Sequence, residues 1–179
     1  MTNKSAFYYF YFLVAGYAIS SFGSFLNMVA LSLFVYHLSG SALQTGLYMT
    51  LRLVASFFGG LAAGNLVARY PRKPLMIVSD VTQGLGLLVL LVVPSTIQLE
   101  TLYVLSVVLG LCSTLSGVAL RSSIPEIVGQ DQRVRANGLL VTGRSFATVL
   151  GFASAGMIVA WSGYETAFLI DAITFFISA

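Results

Sequence analysis

Long apolar runs, separated by short turns rich in polar residues or proline, fill almost the whole chain. A helix rises about 1.5 Å per residue, so roughly 20 apolar residues cross the ~30 Å hydrocarbon core of a bilayer. The pattern predicts spans over about 7–36, 44–67, 75–93, 99–122, 136–161 and 164–179. The breaks between them are His37-Leu38-Ser39-Gly40-Ser41, a cationic turn from Gly64 to Pro74, Pro94-Ser95-Thr96, and a polar connector from Ser123 to Arg135 that includes Asp131. In lipid every backbone group must be satisfied within its own segment or a closed barrel. The expected fold is therefore all-α: a polytopic membrane bundle of six transmembrane helices.

Composition agrees. The chain of 179 residues is 58% hydrophobic and 8% charged, with a mean hydropathy of +0.92. A soluble domain carries about 25% charged residues, so too little charge remains to coat a water-facing surface. The net charge of +3 does not point to nucleic acid, because the cations lie in turns between apolar runs. They set topology instead. With the N-terminus inside, Lys4, Arg69, Arg72, Lys73, Arg121, Arg133 and Arg135 fall on the cytoplasmic side, while the other side holds Glu100 and Glu165 and no Lys or Arg. That asymmetry predicts a cytoplasmic N-terminus in an inner or plasma membrane. The first run is too long for a signal peptide, so it reads as a retained span. In that orientation the Asn3-Lys4-Ser5 sequon has no meaning. Cys112, the lone cysteine, supports neither a disulfide nor a metal framework.

The last run, 164–179, makes about 24 Å of helix, short of a full crossing. No cationic anchor follows it, so the expectation is a fragment of a longer protein. Small residues at Gly60 and Gly64, and at Gly151 and Ala155, have the spacing that lets helices approach closely in lipid. A surface that slides during transport is the alternative use of them.

Four segments together resemble one family. They are Val35-Tyr36-His37-Leu38-Ser39-Gly40-Ser41-Ala42; the turn Gly64 to Pro74 followed by Ser79-Asp80; Arg121-Ser122-Ser123-Ile124-Pro125-Glu126-Ile127-Val128 with Ala136-Asn137-Gly138-Leu139; and Ala167-Phe168-Leu169-Ile170-Asp171-Ala172-Ile173-Thr174-Phe175-Phe176-Ile177-Ser178. In this order they are similar to the first half of a major facilitator superfamily carrier, in the macrolide-efflux and enterobactin-exporter-like branch. The resemblance implies two parallel six-helix halves with a substrate cavity between them. It also implies alternating access, usually proton-driven export of amphipathic compounds. Only the N-terminal half is matched. Ala68 stands where the family's turn usually has an acid, and Pro71 where it often has glycine or a polar residue. Ser24 follows Gly23 where the branch often has an acid, and Gly151-Phe152 replaces the antiporter-type Gly-Pro.

Ionisable residues inside spans are costly and mark functional or paired positions. Asp80, about 8 Å deep from the cytoplasmic side, is expected to pair with Arg121 or the turn cations, or to serve gating or proton handling. Arg52, about 12 Å deep from the outer side, and Asp171, about 10 Å deep from the same side, are candidates for an ion pair. Asp171 is also a candidate for a protonatable role. Arg144, about 12 Å from the cytoplasmic face, has no evident partner. It is expected to line a wet cavity, meet an anionic group of the substrate, or pair with an acid in the missing half. The gating turn comprises Gly64, Arg69, Arg72, Lys73, Asp80 and Arg121. Phe7-Tyr8-Tyr9-Phe10-Tyr11-Phe12 reads as an interfacial aromatic belt or a stacking surface for substrate. His37 reads as a solvated turn residue rather than a proton relay.

The sequence excludes most enzyme classes. It has one His and one Cys, no His-Glu-x-x-His and no closely spaced acids, so no catalytic residue, metal ligand or cofactor is expected. The expected partners are a small-molecule substrate, protons as the candidate coupling ion, the lipid bilayer and the missing C-terminal half. A half-carrier working as a homodimer and a non-transporting truncated fragment are the alternatives.

Overall fold

The computed structural model describes residues 3–129 and 132–179, with side chains from Phe10 onward. The side chains of Lys4 and of Phe7, Tyr8 and Tyr9, as well as Asp131, lie outside the described residues. Among the described residues the regular elements are α1 (Asn3–Ser39), α2 (Ala42–Arg69), α3 (Arg72–Val92), a 3-10 turn (Ser95–Ile97), α4 (Gln98–Val128) and α5 (Arg133–Ser178). All five α-helices are long and apolar enough to cross a membrane.

The turns follow from local chemistry. Gly40, with φ of 63°, ends α1, and the Ser41 hydroxyl accepts the Gln44 N–H at 3.4 Å to cap α2. Only Tyr70 and Pro71 separate α2 from α3. Pro71 has φ of −58° and sits where no helical N–H is needed. The polar connector after span four is shorter than expected, because α4 continues to Val128 through Pro125. Ile124 and Val128 bury against Phe10, Ala136 and Leu140, which holds this last stretch in helix.

The length of α5 needs an explanation. Its 46 residues would make about 69 Å of straight helix, more than twice a hydrocarbon core. It breaks at Gly163, whose φ of 79° and ψ of 172° are a conformation open essentially to glycine alone. The register against α1 shows what the break does. Gly143 lies beside Val14 and Ala18, Phe152 packs on Phe25, and Tyr164 on Phe34. Beyond Gly163 the order reverses: Phe168 packs on Phe34, Asp171 meets Asn27, and Thr174 lies over Gly23. The chain therefore turns back on itself, and α5 consists of two antiparallel arms, 133–162 and 164–178.

Glycine sets the closest helix contacts. A Cβ on Gly110 of α4 would lie 2.9 Å from the Ala55 Cβ and 3.1 Å from the Ser56 nitrogen of α2. The Ser56 hydroxyl donates to the Gly110 carbonyl at 3.2 Å across the same contact. A Cβ on Gly151 would lie 2.8 Å from the Phe22 carbonyl oxygen of α1. Ala155, one turn on, is fully buried. The expected Gly60 and Gly64 pair is corrected to Gly59 and Gly60: Gly59 approaches the Leu111 Cα and Gly60 makes ordinary contact with Thr114, whereas Gly64 meets nothing within 4 Å. Ala63, one turn beyond Gly59, is fully buried, so the packed face of α2 runs through Gly59 and Ala63 and Gly64 lies off it.

The distribution of side chains is that of a membrane bundle. Phe57, Leu53 and Trp161 are exposed, while Asn27, Asp80, Gln83 and Asp171 are buried. Overpacking a tight contact costs about 1–3 kcal/mol. Gly110→Val and Gly151→Val are each expected to lower stability by that amount, read as the thermal aggregation midpoint in detergent. Gly64→Ala should leave the midpoint unchanged; equal losses at all three positions would place the tight contacts elsewhere.

Candidate functional site

Two apolar clusters fill the bundle. One contains Leu26, Ala30, Leu87, Leu90, Leu105, Leu109 and Phe168. The other contains Phe10, Leu120, Ile124, Ala136 and Leu140. Between them, each helix changes character. On α1 the residues between Tyr17 and Leu26 include Ser20, Ser21 and Gly23; on α3, between Met76 and Leu87, stand Ser79, Asp80 and Gln83; on α4, between Leu109 and Leu120, stand Gly110, Ser113, Thr114 and Ser116. A polar layer thus crosses the interior between two apolar plugs.

Asp171 is the most enclosed charge among the described residues, with 1% of its surface exposed. Asn27 Nδ2 donates to its Oδ2 at 2.7 Å, and the Thr174 hydroxyl lies 3.3 Å from its Oδ1. Gly23 makes room for it: a Cβ there would stand 2.7 Å from Oδ1. The ion pair expected between Arg52 and Asp171 is absent, with no nitrogen–oxygen contact within 4 Å; Asn27 takes the direct contact. The buried Arg52 Nη1 has the hydroxyl of Tyr48, one turn earlier, as its neighbour.

Asp80 is also buried. It accepts from the Ser116 hydroxyl at 3.2 Å, and the ion pair expected with Arg121 or with the turn cations is absent. The reason is direction: α3 turns Asp80 inward, whereas Arg121 is exposed on α4. Of the turn cations, Arg72 forms an ion pair with Glu126 of α4, while Arg69 and Lys73 are exposed. Gly64 and Ala68 are exposed as well.

Arg144 is exposed on the first arm of α5, with its guanidinium 5.7 Å from the centre of the Phe25 ring. Phe152 meets the same ring edge-on at 5.2 Å. The arrangement is a cation beside two aromatic rings, open on one side. His37 is exposed and stacks on Tyr164 at 5.7 Å. Among the described residues, no group of His, Cys, Asp and Glu side chains could hold a metal ion.

Sequence reasoning weighed ionisable residues and missed the neutral ones that hold them: Asn27, Gln83, Ser116 and Thr174. A lone amide in the middle of an apolar run was the available signal, because an amide in hydrocarbon needs partners as a charge does.

Comparison with known proteins places these features. The chain is 29% identical over 157 residues to the enterobactin exporter EntS of Shigella boydii serotype 18, covering 85% of this chain and 36% of that protein. It is 28% identical over 155 residues to the enterobactin exporter EntS of Salmonella typhimurium, covering 85% of this chain and 37% of that one. The chain thus matches little more than a third of the length of these relatives. No solved structure matches it. The family model described as Major Facilitator Superfamily matches residues 13–179, nearly the whole helical bundle, and the chain belongs to that family of membrane transporters.

Proposed function

We propose that the chain is the N-terminal, six-span half of a membrane exporter, with its N-terminus in the cytoplasm. It moves amphipathic small molecules of the drug, macrolide or siderophore kind by alternating access, driven by protons. The antiparallel arms of α5 count as two crossings, which supports six spans, and the two crossings of α3 and α4 between the cationic turns support a common side for them. The relatives' printed substrate, enterobactin, supports the substrate class.

One observation carries the reading. Arg144 lies about 12 Å into its span and is exposed. A charge at the centre of a lipid-facing helix costs about 2.5–3.5 kcal/mol even on the lenient scales, so this face of α5 borders water rather than lipid. Arg144, Phe25 and Phe152 then form a wall that offers one charge and two rings to an anionic aromatic compound. The exposed Gly64, Ala68, Arg69 and Arg121 at the cytoplasmic end are the surface that the second half of the carrier meets. The pair of Arg72 with Glu126 ties the turn to α4, and Asp80 lies beneath it. The same open face also fits a second copy of this chain, and crosslinking in membranes separates the two arrangements.

Losing a hydrogen bond to a charged group costs about 1.5–3 kcal/mol. Arg144→Leu is therefore expected to lower export about tenfold to a hundredfold at unchanged protein level. Full activity in that variant would remove Arg144 from the substrate path. A cysteine at Tyr70 should be labelled only from the cytoplasm and one at Glu165 only from outside; the reverse pattern inverts the topology. Arg72 is 28% exposed and Glu126 67%. At such exposure an ion pair contributes under about 1 kcal/mol. Glu126→Gln should thus slow turnover while leaving the thermal midpoint nearly unchanged, and a large fall in that midpoint would make the pair structural.

A further inference from the structure

At the end of the bundle opposite the cationic turn, the chain reverses at Gly163 and leaves a hollow beside the bend. The cavity holds about 230 Å³ and lies among the last turns of α1 and α3, the start of α4 and the bend of α5. Leu90 and Phe168, both buried, form its floor. Phe34 and Tyr164 line it too. The Phe34 ring lies 5.1 Å from that of Tyr164 and 5.5 Å from that of Phe168, centre to centre. His37 backs Tyr164 at 5.7 Å.

Two polar side chains complete the lining, Gln98 and Glu165. Gln98 Nε2 donates to the Val93 carbonyl at 3.3 Å, which leaves Oε1 as an acceptor. Glu165 is exposed and makes no ion pair or hydrogen bond among the described residues. No residue of 36–44, 93–101 or 161–166 is Lys or Arg, so none at this end answers its charge.

This lining selects among ligands. It repels anions, because its polar groups are a carboxylate and an acceptor. A metal ion needs several oxygen ligands, and the cavity offers one acid among apolar walls. A neutral apolar guest makes no use of Glu165. Aromatic rings attract a ligand cation that lies over their faces within about 6 Å. The volume falls below the roughly 300–1,000 Å³ of pockets for drug-sized ligands, so a head group or a one-ring amine fits. The Arg144 wall is elsewhere, about 28 Å along the first arm of α5, and of opposite charge.

We propose that this cavity binds a small organic ammonium ion. Glu165 and the Gln98 Oε1 hold the charge, and Phe34, Tyr164 and Phe168 meet the carbon part. The ion comes from a dissolved amine or from the ammonium head group of a lipid; the recognition chemistry is the same.

Benzylammonium, a one-ring ammonium ion at pH 7, is the probe. Equilibrium dialysis of the full chain in detergent, corrected with empty micelles, should show saturable binding of one probe per chain. Glu165→Gln should weaken binding at least about fivefold, the least that a unit charge contributes at contact distance in water. Phe34→Leu and Tyr164→Leu should each weaken it about twofold to thirtyfold. Glu165 is exposed and unpaired, so its replacement should leave folding intact. Glu100→Gln removes the other acid at this end and should leave binding unchanged. Benzyl alcohol, similar in shape but uncharged, should not compete. Bilayer discs separate the two sources. Binding lost in phosphatidylethanolamine but kept in phosphatidylglycerol assigns the site to a lipid head group, and equal binding in both assigns it to a dissolved amine. Absence of saturable binding, equal weakening by Glu100→Gln and Glu165→Gln, or competition by benzyl alcohol at the probe's own concentration overturns the site.

Discussion

Close approach of helix backbones at glycine is the contact on which the rest of this bundle depends. Lipid gives apolar side chains no reason to leave it, so helices associate through dispersion contacts and shape. Gly110 lets α4 reach the backbone of α2, and Gly151 lets the first arm of α5 reach that of α1. Gly23 serves the interior in a second way. Its missing side chain is the space that the carboxyl group of Asp171 occupies. A larger residue there would remove the Asp171–Asn27 contact and crowd two helices at once.

The glycine contacts hold the apolar clusters in place, and the clusters in turn isolate the polar layer. Phe168 and Leu87 lie on one side of it and Leu120 and Ile124 on the other. Charges so enclosed act on each other more strongly than charges in water, because little solvent screens them. Asp80 and Asp171 are such enclosed charges, each held by a neutral partner from another helix, Ser116 and Asn27. Arg144 is different in kind. It is exposed beside Phe25, whose ring also meets Phe152.

The cationic turn between α2 and α3 links this interior to one end of the bundle. Pro71 keeps the connection short, and the pairing of Arg72 with Glu126 joins it to the end of α4. Ala68, where related turns usually carry an acid, leaves that part of the surface without charge. Of its cations, Arg69 and Lys73 stay exposed while Glu126 holds Arg72, and the turn itself offers no carboxylate.

Much of the fold was legible in the chain alone. Run length against bilayer thickness decides that these segments are helices that cross, and the placement of Lys and Arg decides a common side for the turns. Both are one-dimensional constraints, set by the solvent and independent of which helix touches which. The break at Gly163 was visible for the same reason, as a gap between two runs. Partners were not legible. Asp171 and Arg52 matched in depth, yet depth says nothing of azimuth, and Asn27 takes the contact. Asp80 and Arg121 share an end of the bundle but point apart. Gly59 rather than Gly64 makes the tight contact, because a few residues of phase turn a helix face away. Sequence by itself determined the spans, their order and the charged positions. Only the tertiary structure decided which side chains meet, since rotation about each helix axis is fixed by packing between helices.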